Sequence, residues 1–181
     1  MIDGKGITSA FDPDVGLMFS AYESTDDIGK VLRVHLMLEQ QIEKLITSQS
    51  NAKVDRTTFW SKVNLMRAMG VPESICIAAE ALNELRNQFA HNSKATIANT
   101  KSKSDAFLKS ASIIWPKLPE ATGTLTKTKS GIEHKLSYAK ASQAQRVVIA
   151  GFILSNLIGA LPKMYRLGKP LRLLTLAGTN L

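Results

Sequence analysis

The sequence predicts an all-α bundle, and three observations predict it. Apolar residues recur at steps of three and four through several long windows. Cap residues, glycines and prolines bracket those windows as helix starts and stops. No alternating strand series, βαβ unit or internal repeat interrupts them. The length, 181 residues, fits one domain with or without an extension, and 44% hydrophobic with 21% charged residues suits a soluble globular protein.

The elements follow in order. Residues 1–24 mix Gly, Asp, Pro and Phe without a helical period and read as an irregular arm docking through Phe11, Leu17, Met18 and Phe19. Ser24-Thr25-Asp26-Asp27 starts a first helix, with Ile28, Val31, Leu32, Leu38, Ile42 and Leu45 on its apolar stripe to about Thr47. After a polar loop, Asp55 or Thr57 caps a second helix carrying Phe59, Val63, Leu65, Met66 and Met69. Gly70 stops it and Pro72 opens the third, with Ile75, Ala78, Ala79, Leu82, Leu85 and Phe89 on one face and an end near His91-Asn92-Ser93. A polar segment, 94–104, precedes a fourth helix from Ala106 to Trp115, stopped by Pro116. Residues 117–135, rich in Thr, Lys and Gly, read as a long loop or short hairpin. The last helix runs from about Ala139 to Leu161 and ends at Pro162, with Gly151, Ser155 and Gly159 making one side smooth for close helix packing. The expected segments are an arm (1–24), a helical domain (25–162) and a basic C-terminal tail (163–181).

Composition narrows the chemistry. A single cysteine, Cys76, excludes an internal disulfide framework and a multi-cysteine zinc site. Three separated histidines, His35, His91 and His134, argue against a histidine-built metal cluster, and 6% aromatics against an aromatic-rich single-strand binding surface. The first six residues lack an apolar core behind a basic start, so no secretory leader is expected. The longest apolar stretch, Val147–Leu161, falls short of the roughly 20 residues needed to span a bilayer. The expectation is a cytoplasmic protein without a membrane partner.

The formal charge of +8 is uneven: residues 1–57 carry a net −3, residues 58–91 are neutral, and residues 92–181 carry +11. A basic second half suits nucleic acid, an acidic protein or anionic lipid; the plain alternative is a solvated lysine-rich surface.

Residues 82–92 read Leu-Asn-Glu-Leu-Arg-Asn-Gln-Phe-Ala-His-Asn. Arg86-Asn87, with Phe89-Ala90 before His91, resembles the R-N-x-F-A-H form of the Arg-x4–6-His signature of the HEPN superfamily (higher eukaryotes and prokaryotes nucleotide-binding domains). Phe59, Lys62, Leu65 and Met69-Gly70, ahead of a helix carrying Leu82 and Arg86, are similar to the mannitol-operon repressor-like and related small HEPN branches. Leu38-Glu39 fits the Leu-Glu pair often found there. The resemblance covers residues 26–91, and 105–161 by helical pattern alone. It implies a HEPN-like antiparallel bundle of four to five helices, working as a homodimer whose motifs form one cleft.

The helical wheel leaves two arrangements open: Arg86 reaches around with its long side chain, or it meets His91 across a two-fold interface. Residues five apart lie about 140° apart, so Arg86 and His91 do not stack on one face of one chain. Asn87 and His91, four apart, do, with Glu84 on the same strip.

Family members with an intact motif are metal-independent endoribonucleases, which implies no cofactor and an RNA substrate. A ribose 2′-hydroxyl would attack the adjacent phosphodiester. His91 would exchange a proton near neutral pH. Arg86 would bind a phosphate oxygen and stabilise developing charge, and Asn87 would orient the histidine or bind phosphate. Glu39 and Glu84 are candidate supporting residues. Lys94, Lys163, Arg166, Lys169 and Arg172 are candidate RNA contacts, with a solvated tail as the other reading. A toxin or defence enzyme of this kind implies an acidic antitoxin or a nucleotidyltransferase partner.

A second reading is a non-catalytic HEPN-fold transcriptional regulator or scaffold. In it Arg86 pairs with Glu39 or Glu84, and His91 caps its helix through the dipole. His35, on the apolar stripe, reads as a hydrogen-bonded interior or interface histidine. Cys76 reads as a core thiol, Trp60 and Trp115 as packing residues, and His134 as exposed.

Overall fold

The structure, a computed structural model, describes residues 14–50, 54, 56–127 and 132–166. Six α-helices and one two-stranded hairpin make up these residues: α1 Val15–Glu23, α2 Asp27–Gln49, α3 Phe59–Ala68, α4 Glu73–His91, α5 Lys101–Ile114, β1 Thr122–Lys127, β2 Ile132–Ser137 and α6 Gln143–Arg166. The all-α class is as expected, with more helices than four or five.

Local chemistry sets the starts and stops. Asp26 caps α2 by accepting the Gly29 amide, and Thr58 caps α3 by accepting the Ser61 amide at 3.2 Å. The cap is therefore Thr58, one residue beyond Thr57; Asp55 lies outside the described residues. At the end of α3, Gly70 takes a positive φ of 80°. The Gly70 and Val71 amides then donate back to the Arg67 and Met66 carbonyls, closing the last turn. Pro72, at the cap position, launches α4 directly afterwards.

Three expectations change, and the short-hairpin reading of 117–135 holds. Part of the N-terminal arm, Val15–Glu23, is helix rather than irregular chain. Asp14 caps it by accepting the Leu17 amide, and Met18, Phe19 and Ala21 are buried. Docking through Leu17, Met18 and Phe19 is as read; Phe11 lies outside the described residues. Helix α5 begins at Lys101, five residues early, because its Lys-Ser-Lys-Ser start carries no apolar signal. Its Ser104 is fully buried and receives Gln143 Nε2 at 2.8 Å. Residues 117–135 hold a 3₁₀ turn and the hairpin, with Leu125 opposite His134.

Helix α6 does not end at Pro162 but runs to Arg166. The proline lacks the amide that would reach Ile158, while the residues after it keep their own acceptors one turn back. By length and composition Gln143–Pro162 would suffice to cross a membrane, further than the 15-residue stretch suggested; 67% of it is buried inside the fold.

The core lies between α2 and α6. Val31, Val34, Leu38, Ile42 and Leu45 of α2 meet Val147, Val148, Leu154, Ile158 and Leu161 of α6 within one buried cluster. Gly151 permits this approach: a Cβ there would collide with Val34 Cγ1. Ser155 folds its hydroxyl back onto the Gly151 carbonyl at 2.8 Å, so the smooth side expected of α6 is real.

Because Val34 is stiff and β-branched, it cannot swing aside. Gly151→Ala should destabilise the fold by about 1–3 kcal/mol despite alanine's better helix propensity. Adding Val34→Ala should recover part of that loss. Urea unfolding of the two single variants and the double variant measures this.

Candidate functional site

Helices α2 and α4 run antiparallel. His35 meets Asn83 in their middle, while Asp27, at the start of α2, accepts the Ile97 amide beyond the end of α4 at 2.8 Å. Helix α3 packs across the same edge and sets the Phe59 ring 4.5 Å from that of His35. Leu32, Leu36, Glu39 and Glu43, spaced four, three and four, share the side of α2 that faces away from the core. Leu32 and Leu36 are exposed there, as is Trp60 at 65%, which is therefore not the packing residue its type suggested. Trp115 is half-buried against the core.

Around this edge lies a cluster of charged and polar groups from three helices. Lys62 of α3 is buried, and its Nζ donates to both Glu39 Oε1 and Glu43 Oε1 at 2.6 Å. Burial by itself would lower the pKa of the ammonium; the hydrogen bonds and charges of the two carboxylates outweigh it and hold the pKa above its ordinary value. His35 is buried too. Its Nε2 donates to Asn83 Oδ1 at 3.1 Å, which leaves Nδ1 facing Glu39 Oε2 at 3.9 Å. Burial pulls the His35 pKa down; Glu39 and the Asn83 bond oppose this, while Arg86 and Lys62 add to it. The interior, hydrogen-bonded reading of His35 holds.

Arg86 and Asn87 sit half-buried on α4, and Arg86 Nη1 donates to Asn87 Oδ1 at 3.2 Å. Among the described residues, no carboxylate lies within 4.0 Å of the guanidinium. The two acids expected as its partners are engaged elsewhere. Glu39 holds Lys62, and Glu84 is exposed and pairs with Lys103 of α5 at 3.2 Å. His91 is the exposed last residue of α4. Since α4 stays helical to that point, Arg86 and His91 point about 140° apart, as the wheel required.

The remaining candidates scatter. Lys94 is exposed just beyond α4. Lys163 and Arg166 fall in the last stretch of α6 with side chains outside the described residues, where Lys169 and Arg172 lie entirely. Cys76 is a buried thiol pushed up to about 11, by burial first of all. His134 is half-buried, against Phe19 and Tyr22 and 3.2 Å from Glu23, rather than exposed. Among the described residues no group of three or more His, Cys, Asp and Glu is placed to hold a metal ion.

Sequence reasoning missed Asn83. It read Lys62 only through a family pattern, because the Lys62–Glu43 and His35–Asn83 pairings appear only once three helices are packed. No protein-family model, curated protein or solved structure matches the chain.

Two predictions follow from the cluster. Lys62→Met leaves Glu39 and Glu43 facing each other, and should cost about 2–4 kcal/mol, tempered by the water that still reaches Glu43. Combining it with Glu39→Gln and Glu43→Gln should recover most of that loss in denaturant midpoints. His35, with a folded pKa below its unfolded value of 6.5, contributes stability that is complete above about pH 6.5 and lost as pH falls through the folded pKa. His35→Gln should flatten that part of the stability–pH curve.

Proposed function

We propose that the chain is a HEPN-type endoribonuclease that acts as a homodimer in the cytoplasm. The observation that carries this reading is Arg86, a permanent cation on an accessible helix face with no carboxylate to neutralise it. A structural arginine half-buried between helices would be expected to hold a carboxylate such as Glu39. Here Glu39 is committed to Lys62, Glu84 points about 160° away around α4, and Asn87 steadies the guanidinium without cancelling its charge. That leaves its donors for a phosphate.

The divergence of Arg86 and His91 on one helix, and the exposed Leu32 and Leu36 of α2 and Trp60 of α3, favour a second copy completing the site. Two copies supply two arginines and two histidines. One His91 takes the proton from a ribose 2′-hydroxyl as it attacks the adjacent phosphorus. The other gives a proton to the departing 5′-oxygen. The products are a 2′,3′-cyclic phosphate and a 5′-hydroxyl. The arginines stabilise the extra negative charge on the phosphoryl oxygens during attack. An acidic antitoxin or a nucleotidyltransferase is the partner class this reading calls for.

The test is cleavage of single-stranded RNA by the purified protein in EDTA. Arg86→Ala and His91→Ala should each lower the rate by about 10²–10⁴-fold with unfolding midpoints retained. A DNA strand of the same sequence should stay intact. Wild-type rates in both variants would instead point to the regulator or scaffold.

A further inference from the structure

We infer that His35 is a positioning residue for the anion site at Arg86: a phosphodiester bound there is taken up together with a proton on the buried His35 ring. The inference rests on the proposed role of Arg86 and specifies how that site is regulated.

Charged groups from three helices face His35. From α2 comes Glu39, with its Oε2 3.9 Å from Nδ1. From α3 comes Lys62, which also holds Glu43. From α4 comes Arg86, one turn beyond the Asn83 that accepts the Nε2–H bond. Two cations and two carboxylates balance while the ring is neutral. The ring is nearly sealed from water and backed by Phe59, so any change in that balance acts through a weakly screened medium.

A phosphodiester on Arg86 cancels one of the two cations. The cluster then carries an excess negative charge, and a proton on Nδ1 restores neutrality with Glu39 already facing it. Asn83 Oδ1 keeps accepting from Nε2 in both states, so the ring needs no flip to receive the proton. Charging His35 then favours the anion by the same factor as the anion favours the charge. His35 touches no substrate atom in this scheme; it sets the field around Arg86.

The probe is a dinucleotide with a 2′-deoxy 5′-residue, whose diester binds without being cleaved and does not itself titrate in the relevant range. His91 also lies in the site, so affinity is measured in wild type, His91→Gln, His35→Gln and the double variant, at about pH 5.5 and 7.5. Expected is tightening of roughly three- to tenfold at the lower pH in wild type and in His91→Gln, lost once His35→Gln is added. Proton NMR of the wild-type protein gives an independent reading if His35→Gln folds poorly: the His35 ring titration should move to higher pH on saturation with the dinucleotide.

Binding that Arg86→Ala abolishes, with the His35 titration unmoved, would overturn the inference and leave the ribonuclease reading standing. Absence of binding, or binding that Arg86→Ala leaves unchanged, would take down the reading of the site and this inference with it.

Discussion

The contact between Val34 and Gly151 governs the arrangement of everything else. Helix α6 comes this close to α2 because one position lacks a side chain, and Val34 fills the space. That fit fixes how α2 is rotated about its own axis. Val34 lies about 180° around the helix from the centre of the strip bearing Leu32, Leu36, Glu39 and Glu43. Seating one side against α6 therefore aims the other at solvent and at α3 and α4. The polar cluster exists because the apolar contact behind it leaves α2 no freedom to turn.

Charge in the molecule is more local than its total suggests. The basic second half does not simply surround Arg86. Lys103 and Lys101 are drawn to Glu84 and Asp105. Glu84 lies about 160° around α4 from Arg86, so this lysine-bearing surface is on the far side of the helix from the cluster. Near Arg86 the decisive feature is a division of labour. The lysines satisfy the acids, and the arginine, whose planar fork suits phosphate best, is left over.

The long helices were legible from sequence because their periodicity is long. Helix α2 lies within about three residues of its expected ends, and α4 ends at His91, within the expected His91–Ser93 stop. Helix α1 was not legible: nine residues are too few to show a period, and the packing of Met18 and Phe19 holds it in place. The start of α5 carries no apolar residue, and Pro162 is a stop signal that the helix overrides. For the site, the run Arg86-Asn87-His91 could be read as chemistry, while the neighbours that decide what Arg86 does could not. Whether Glu39 takes Lys62 or Arg86 depends on a crossing of helices, which no local spacing records. His134 makes the same point, with its Glu23 partner 111 residues away.

The Asp27–Ile97 bond makes the three cluster-bearing helices the more local part of the fold. It closes a segment of α2, α3 and α4 whose ends meet across 70 residues, with His35 and Asn83 joined inside it across 48. Helix α6 reaches α2 only after the chain has passed α5 and the hairpin. Shorter loops close at lower entropic cost, so the three helices carrying the cluster have the topological advantage in folding. The face that bears Arg86 is thus closed by shorter loops than the α2–α6 contact that fixes its orientation.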